Sequence, residues 1–320
     1  MRNLRVAILV PPDEPEAPPD RADTFVQARE ISECLSILGH EVLTIVFAPE
    51  RATTESDLVA AQPDVVVNLI EDLPIGPEHA HLVTRMLEWL HLPYTGAPTP
   101  ALTMLGDKRE MKACLADAGL PVPPDLADGD RPVRYIVKSA TQHASIGIDA
   151  ASVVEGCEAA RALIAAREAA FGGEWFAEAY IDGREFNLAV LQTAEGPMPL
   201  PVAEILFLDH DDVPKIVGYA EKWAEGSNAY ANTPRSFCAI AGEEPLRREL
   251  VRLGLAAWAL FGLRGYARVD FRVDDRQTPY ILEVNANPCL AADAGFCAAA
   301  RETGLTQVEI VAQLLETALA

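Results

Sequence analysis

Positive charge is what this 320-residue chain has least of: 26 lysines and arginines stand against 48 aspartates and glutamates, a formal net charge of −22. A surface that acidic repels phosphodiester backbones and anionic lipid, which argues against nucleic acid and membrane as partners, although a local basic pocket can still hold an anion. Long apolar runs are missing as well. None approaches the ~20 residues that a membrane span needs. The opening MRNLRVAILVPP has a short apolar stretch that ends at a proline pair, so it fails as a secretory signal and reads as a first β-strand. Cysteines are few, at 34, 114, 157, 238, 289 and 297, with no CxxC and no zinc-site spacing. Reduced thiols and a cytoplasmic location are expected. Cys289 has no histidine near it in sequence and reads as a small buried hydrophobe, not a nucleophile. His79 and His81, two apart on a predicted helix, fall on different faces and do not read as metal ligands.

What is abundant is core. Half of the residues are hydrophobic and 23% charged, which suits a soluble globular protein of two or three domains. Residues 1–97 alternate apolar strands (LRVAILV, EVLTIVF, DVVVNLI) with helical stretches at 21–38 and 77–91. Such alternation predicts a small parallel sheet covered on both faces. The segment PPDEPEAPPDRAD reads as a loop at the C-terminal end of a strand, where open α/β sheets bind ligands. Residues 98–176 predict a helix (103–118), a strand VRYIVK, a polar loop SATQHASIGID and an alanine-rich helix (155–171). From 174 on strands dominate, with helices at 246–262 and 306–319.

Chemistry concentrates in RVDFRVDDRQTPYILEVNANP, residues 268–288. Side chains two apart on a strand share a face. Arg268 and Asp270 therefore point one way and Val269 and Phe271 the other; Glu283 and Asn285 likewise oppose Leu282 and Val284. If the two strands pair through the turn, four polar groups converge on one face. Buried carboxylates need a positive partner, and Asp, Glu and Asn oxygens suit Mg²⁺, which pairs one or two carboxylates with substrate phosphates. Structural ion pairs with Arg268 and Arg272 would account for the same residues. Lys138 ends an apolar strand just before HASIGID, whose small residues around Ser145 and Gly147 offer backbone N–H groups to a phosphate. Lys108 and Lys222 add charge. FAEAYIDGREFNLAVL predicts a hairpin that turns at Asp182–Gly183, with Glu178 and Glu185 on it.

In family order over roughly residues 80–290, the stretches LPYTGA (92–97), LTMLGDKREMKACLADAGLPVPP (102–124), YIVKSA with HASIGID (135–149), AEAYIDGREFNLAVL (177–191) and GYARVDFRVD with YILEVNANP (265–288) resemble the ATP-grasp superfamily, most closely its D-alanine–D-alanine ligase family. The resemblance implies an α/β (α+β) ATP-grasp fold: an N-terminal open parallel-sheet domain (1–97), a central lid subdomain (98–176) and a C-terminal mixed or antiparallel sheet (177–320). It implies an ADP-forming ligase that makes an amide through an acyl phosphate, from small-molecule carboxylate and amine substrates. ATP would be held by Lys108, Lys138, Ser145, Ile146, Gly147, Glu178, Ala179, Ile181, Glu185 and Lys222. Two Mg²⁺ ions (or Mn²⁺) would sit on Asp270, Glu283 and Asn285, with Arg268, Lys222 and Ser145 acting in catalysis. A homodimer through the N-terminal domain is a further implication.

Departures from the family pattern cluster at the amino-acid clamps. The N-terminal glycine-rich stretch, with the Glu that holds an ammonium, has no counterpart. Ala144 and Ser145 replace paired serines, Trp223 a tyrosine, Cys289 a glycine, and Ala294 lies near a serine position. A substrate other than D-alanine is therefore expected. Asp293 and the acidic loop 13–20 suggest a more cationic or amine-rich partner. The alternatives are D-alanine–D-alanine ligation itself and an ATP-binding scaffold without activity.

Overall fold

The computed structural model describes residues 3–12, 18–48, 51–73, 75–126, 133–209, 213–238 and 240–320. The N-terminal unit begins with β1 (Arg5–Val10), α1 (Pro19–Ile37), β2 (Glu41–Val46), α2 (Arg51–Ala61) and β3 (Val65–Asn68). Its sheet is parallel in the order β2-β1-β3. Val6, Ile8 and Val10 enter one hydrophobic cluster while Ala7 and Leu9 enter another. Both faces of β1 are thus covered, which is why its sequence is uninterruptedly apolar. The predicted start of α1 at 21 is two residues late, because Pro19 serves the first helical turn, where its missing N–H costs nothing. Residues 13–17 of the acidic loop lie outside the described residues. α2 was not foreseen: its polar RATTESDLVAA buries only Thr54 and Leu58.

Next come α3 (His81–Trp89), α4 (Thr99–Leu105) and α5 (Lys108–Asp117). The single helix predicted over 103–118 is divided at Gly106–Asp107. Asp107 adopts extended backbone and caps α5, its Oδ1 accepting from Arg109 N at 2.7 Å. Lys108 becomes the first residue of α5. A small antiparallel sheet follows, ordered β5-β4-β6, from β4 (Arg134–Ser139), β5 (Val153–Glu155), α6 (Cys157–Phe171) and β6 (Trp175–Ala179). The expected division at 176/177 falls inside β6.

The largest sheet holds β7 (Arg184–Thr193), β8 (Gly196–Pro199), β9 (Ala203–Ile205), β10 (Arg235–Ser236), β11 (Tyr266–Val273) and β12 (Pro279–Asn285). Its order is β10-β9-β7-β11-β12, all antiparallel, with β8 also on β7. The short helices α7 (Tyr219–Trp223) and α8 (Asn228–Ala231) precede β10; α9 (Glu244–Leu260), α10 (Gly295–Arg301) and α11 (Gln307–Leu319) complete the chain. One face of β7 and β11 buries Phe186, Leu188, Val190, Val269, Phe271 and Val273 against α9 and α5. On the other face Ala189, Leu191 and Tyr266 join the core of the N-terminal sheet, together with α11. The N-terminal sheet therefore covers half of that face and leaves the other half to a cleft.

The hairpin expected over 176–191 does not form, because β6 and β7 belong to different sheets; the Asp182–Gly183 link between them is tight against β11. A Cβ at Gly183 would fall 2.0 Å from the carbonyl oxygen of Val273. Gly183→Ala is expected to cost about 2–3 kcal/mol through overpacking, read as a lower urea midpoint with an unchanged slope.

Candidate functional site

Alternation along β7 and β11 sets the floor of the cleft. With the odd-numbered apolar residues of β11 in the core, Arg268, Asp270 and Arg272 face the other way; so do Glu185 and Asn187 of β7, which register with Arg272 and Asp270. On the far side, β12 places Asn285 opposite Arg268 and Glu283 opposite Asp270. The predicted convergence of Arg268, Asp270, Glu283 and Asn285 is present.

One element of that expectation is corrected. Leu282 does not oppose the cleft with Val284. The ladder passes from Asp270–Glu283 to Phe271–Ile281, so Leu282 is an extra residue in a β-bulge. Ile281 and Val284 take the core, and Leu282 joins Glu283 in the cleft wall. An apolar side chain thus sits beside the carboxylates, ready to pack against a flat ring.

The charges are locally balanced. Arg268 donates from Nε and Nη2 to the two oxygens of Asp270 at 2.7 and 2.8 Å, and Asn187 Nδ2 donates to Asp270 Oδ1 at 2.8 Å. Lys108 Nζ lies 3.4 Å from Glu283 Oε1, and His143 Nδ1 lies 3.3 Å from the same oxygen. Burial alone would raise Glu283; the Lys108, His143 and Lys222 charges overcome it and hold the carboxyl well below its usual range. Burial pushes the Lys108 ammonium down, opposed by Glu283 and reinforced by Lys138 and Lys222. Glu185 is pushed up by burial, against the pull of Arg272, whose Nε is 3.5 Å away. Asn285 Oδ1 accepts from Asn287 N at 2.9 Å.

At the inner end, Glu178 is 2% exposed, so its charge must be matched. Lys138 Nζ lies 2.5 Å from Oε1 and Lys112 Nζ 3.0 Å from Oε2. The Lys138 contact is an ion pair outside hydrogen-bond geometry, which leaves Oε1 without a hydrogen-bond donor. Lys112 was not singled out from the sequence, although it lies four residues after Lys108 and so on the same helix face.

The roof is the loop 139–149 with the segment 213–223. Ala144 and Ser145 both have left-handed backbone, φ 57° and 60°, costly for residues with a Cβ and characteristic of functional loops. Ser145 Oγ donates to Val217 O at 2.8 Å and Trp223 Nε1 to Ala144 O at 3.1 Å. Ser145 and the tryptophan thus fasten the two segments together.

Lys108, Lys138, Ser145, Ile146, Glu178, Ala179, Ile181, Glu185, Lys222, Asp270 and Glu283 all line one cleft. Arg268 and Asn285 line a larger cavity of about 1010 Å³ that shares Glu185, Lys222 and Asp270 with the first. Gly147 stands apart: its φ is 69° and a Cβ there would come 2.6 Å from Trp175, so it turns the loop over that ring. Asn187, His143 and Arg272 also line the site; their places depend on register and loop path, which local sequence does not encode. Among the described residues no group of three or more His, Cys, Asp or Glu could hold a metal. The oxygen donors here are two carboxylates and one amide. Among the described residues no disulfide forms, and no described helix is long and apolar enough to cross a membrane.

A family model described as D-ala D-ala ligase C-terminus matches residues 131–316. The chain is 31% identical to the D-alanine--D-alanine ligase of Gluconobacter oxydans (strain 621H), over 99% of this chain and 100% of that protein. Its identity to the enzyme of that name from Moorella thermoacetica is 30%, over 94% and 96% of the two chains. The crystal structure of D-alanine--D-alanine ligase from Bacillus anthracis complexed with ATP has the same fold, with a TM-score of 0.73 at 19% identity over 99% of this chain and 97% of that one. The chain belongs to the D-alanine–D-alanine ligase family, ATP-grasp enzymes that form carbon–nitrogen bonds with release of ADP.

Proposed function

We propose that the protein joins the carboxylate of one amino-acid substrate to the amine of a second through an acyl phosphate. One observation carries this reading: Asp270 and Glu283 face each other across a ladder, flanked by Arg268 and Lys108, in a lysine-lined cleft that meets a larger cavity at Asp270. Lys108 and Lys138 hold the ATP phosphates under the backbone of Ser145 to Gly147. Glu178, buried at the inner end of the cleft, takes an N–H of the adenine, with Ala179 and Ile181 along the base and Glu185 at the ribose. Asp270, Glu283 and Asn285 fit two Mg²⁺ ions, or Mn²⁺, as hard oxygen donors that leave further positions to phosphate. The bound ions neutralise charge on the phosphates. Lys222 faces the transferred phosphoryl group. Arg268 stabilises the acyl phosphate and the oxyanion of the tetrahedral intermediate, as a fixed cation in a water-poor cleft does best. The same reading divides the chain into units 1–97, 98–176 and 177–320 and places it in the cytosol, with ATP and reduced thiols.

D-alanine is the substrate that the relatives' names point to. A different amino acid is favoured by the cavity itself, where Cys289, Ala294 and Asp293 line the wall. A phosphate-release screen of amino acids and dipeptides in pairs, with ATP and Mg²⁺ and D-alanine alone as one arm, separates the two. Release above background with some pair, with the amide product found by mass spectrometry, is the expected result. ATP binding with no release from any pair would leave a scaffold and defeat the proposal.

A further inference from the structure

The larger cavity holds one carboxylate that the reading above leaves idle. Glu71 follows β3, at the C-terminal end of a parallel strand. The segment is anchored at its neighbour: Asn287 Nδ2 donates to Ile70 O at 3.4 Å, and Asn287 in turn accepts from the Tyr266 hydroxyl. Glu71 is thereby held in the wall that Arg268, Asn285 and Cys289 also line. Glu221, on α7, turns its Oε2 back over Gly218 at the start of its own helix, and the remaining carboxylates of the wall are engaged or exposed. Asp23 Oδ2 accepts from Cys289 Sγ at 2.9 Å, Asp20 Oδ1 from the Tyr219 hydroxyl at 2.7 Å, and Asp72 lies 3.6 Å from Arg21. Asp293 and Glu225 are exposed. Glu71 has no hydrogen-bonding or ion-pair partner among the described residues, so it has no structural task.

We propose that Glu71 is the general base that takes a proton from the ammonium of the acceptor amine before it attacks the acyl phosphate. The proposal rests on the ligase reading. The acceptor arrives as an ammonium, drawn by the acidic wall, and cannot attack until it loses a proton. That proton passes to the Glu71 carboxylate. The freed nitrogen lone pair forms the C–N bond and the acyl C–O bond to phosphate breaks. The second nitrogen proton leaves with the phosphate, and Glu71 returns its own to water. The titratable and charged groups whose fields reach Glu71 are Asp20 and Asp23 on α1, Asp72 beside it, Arg268 and Tyr266 on β11, and the Cys289 thiol. Burial, then Asp23 and Asp72, push Glu71 up to about 8, with Arg268 pulling the other way. A base works best when its pKa lies near the operating pH.

Hydroxylamine makes the test sharp, because it is already unprotonated at neutral pH and needs no base. With the acid and amine that release phosphate fastest in the screen, Glu71→Gln is expected to lower amide formation on the order of 100-fold. Hydroxamate formation from the same acid should change by less than about threefold, since acyl-phosphate formation is untouched. Wild-type amide formation should rise with pH toward a limb near 8, and that limb should vanish in the variant. A second readout needs no substrate. Ionising Glu71 in the folded state is costly, so its contribution to stability is lost as pH rises through the folded value, and Glu71→Gln should gain on wild type in melting temperature from about pH 5 to 9. Amide and hydroxamate rates that fall together, or an amide rate within a few-fold of wild type, would overturn the assignment. Wild-type protein that yields neither product would remove the ligase reading, and Glu71's role with it.

Discussion

Glu283→Gln leaves a folded protein whose turnover has dropped on the order of 10³-fold. Glutamine keeps the shape and can still accept from Lys108 and His143, so the ladder with Asp270 has no steric reason to change. What goes is a full negative charge opposite Asp270, which lines both cavities, where the proposed ions are held. The loss should appear in kcat at saturating ATP, and the Mg²⁺ concentration for half-maximal rate should rise. The variant also has a pH signature without substrate. In wild type the Glu283 carboxyl is held well below its usual range. It therefore contributes stability above that range, lost as pH falls through the depressed folded value. Wild type should melt above the variant at neutral pH, and the gap should close on acidification. Wild-type turnover in Glu283→Gln would show that this carboxylate serves only to neutralise Lys108.

Much of this site was legible because strand periodicity is local. Arg268, Asp270, Glu283 and Asn285 declare their common face from spacing alone, and the apolar residues between them say which face is core. The continuous apolar run of β1 announces a strand covered on both sides. The bulge at Leu282 was not legible, since the extra residue exists only relative to the partner strand. Asn187 reaches Asp270 through the β7–β11 register, a contact 83 residues apart in sequence. The break between α4 and α5 hangs on a capping aspartate after a glycine, a local signal that the helical pattern around it outweighed. Glu71 carries no local signal in a chain this acidic. Its interest comes from the anchor that Asn287 gives Ile70 and from the cavity it shares with Arg268, both supplied by the C-terminal part of the chain.

Arg268 separates structural from chemical need. Arg268→Met strands Asp270 in the cleft floor with only Asn187 as donor, and breaking a buried pair in that way costs about 3 kcal/mol or more. It also removes the fixed cation beside the proposed acyl phosphate, worth on the order of 10²–10³-fold in rate. The two losses are expected to part company in the double variant Arg268→Met/Asp270→Asn. With no uncompensated charge left, most of the stability returns in urea denaturation, whereas amide formation stays as low as in the single variant or lower, since Asp270→Asn also removes a proposed metal ligand. Arg268→Lys keeps the charge but not the two-pronged contact with Asp270, so it should lie between wild type and Arg268→Met in both measurements. If the double variant recovered activity along with stability, Arg268 would be only the counter-ion of Asp270, and the stabilisation of the acyl phosphate would have to come from Lys222.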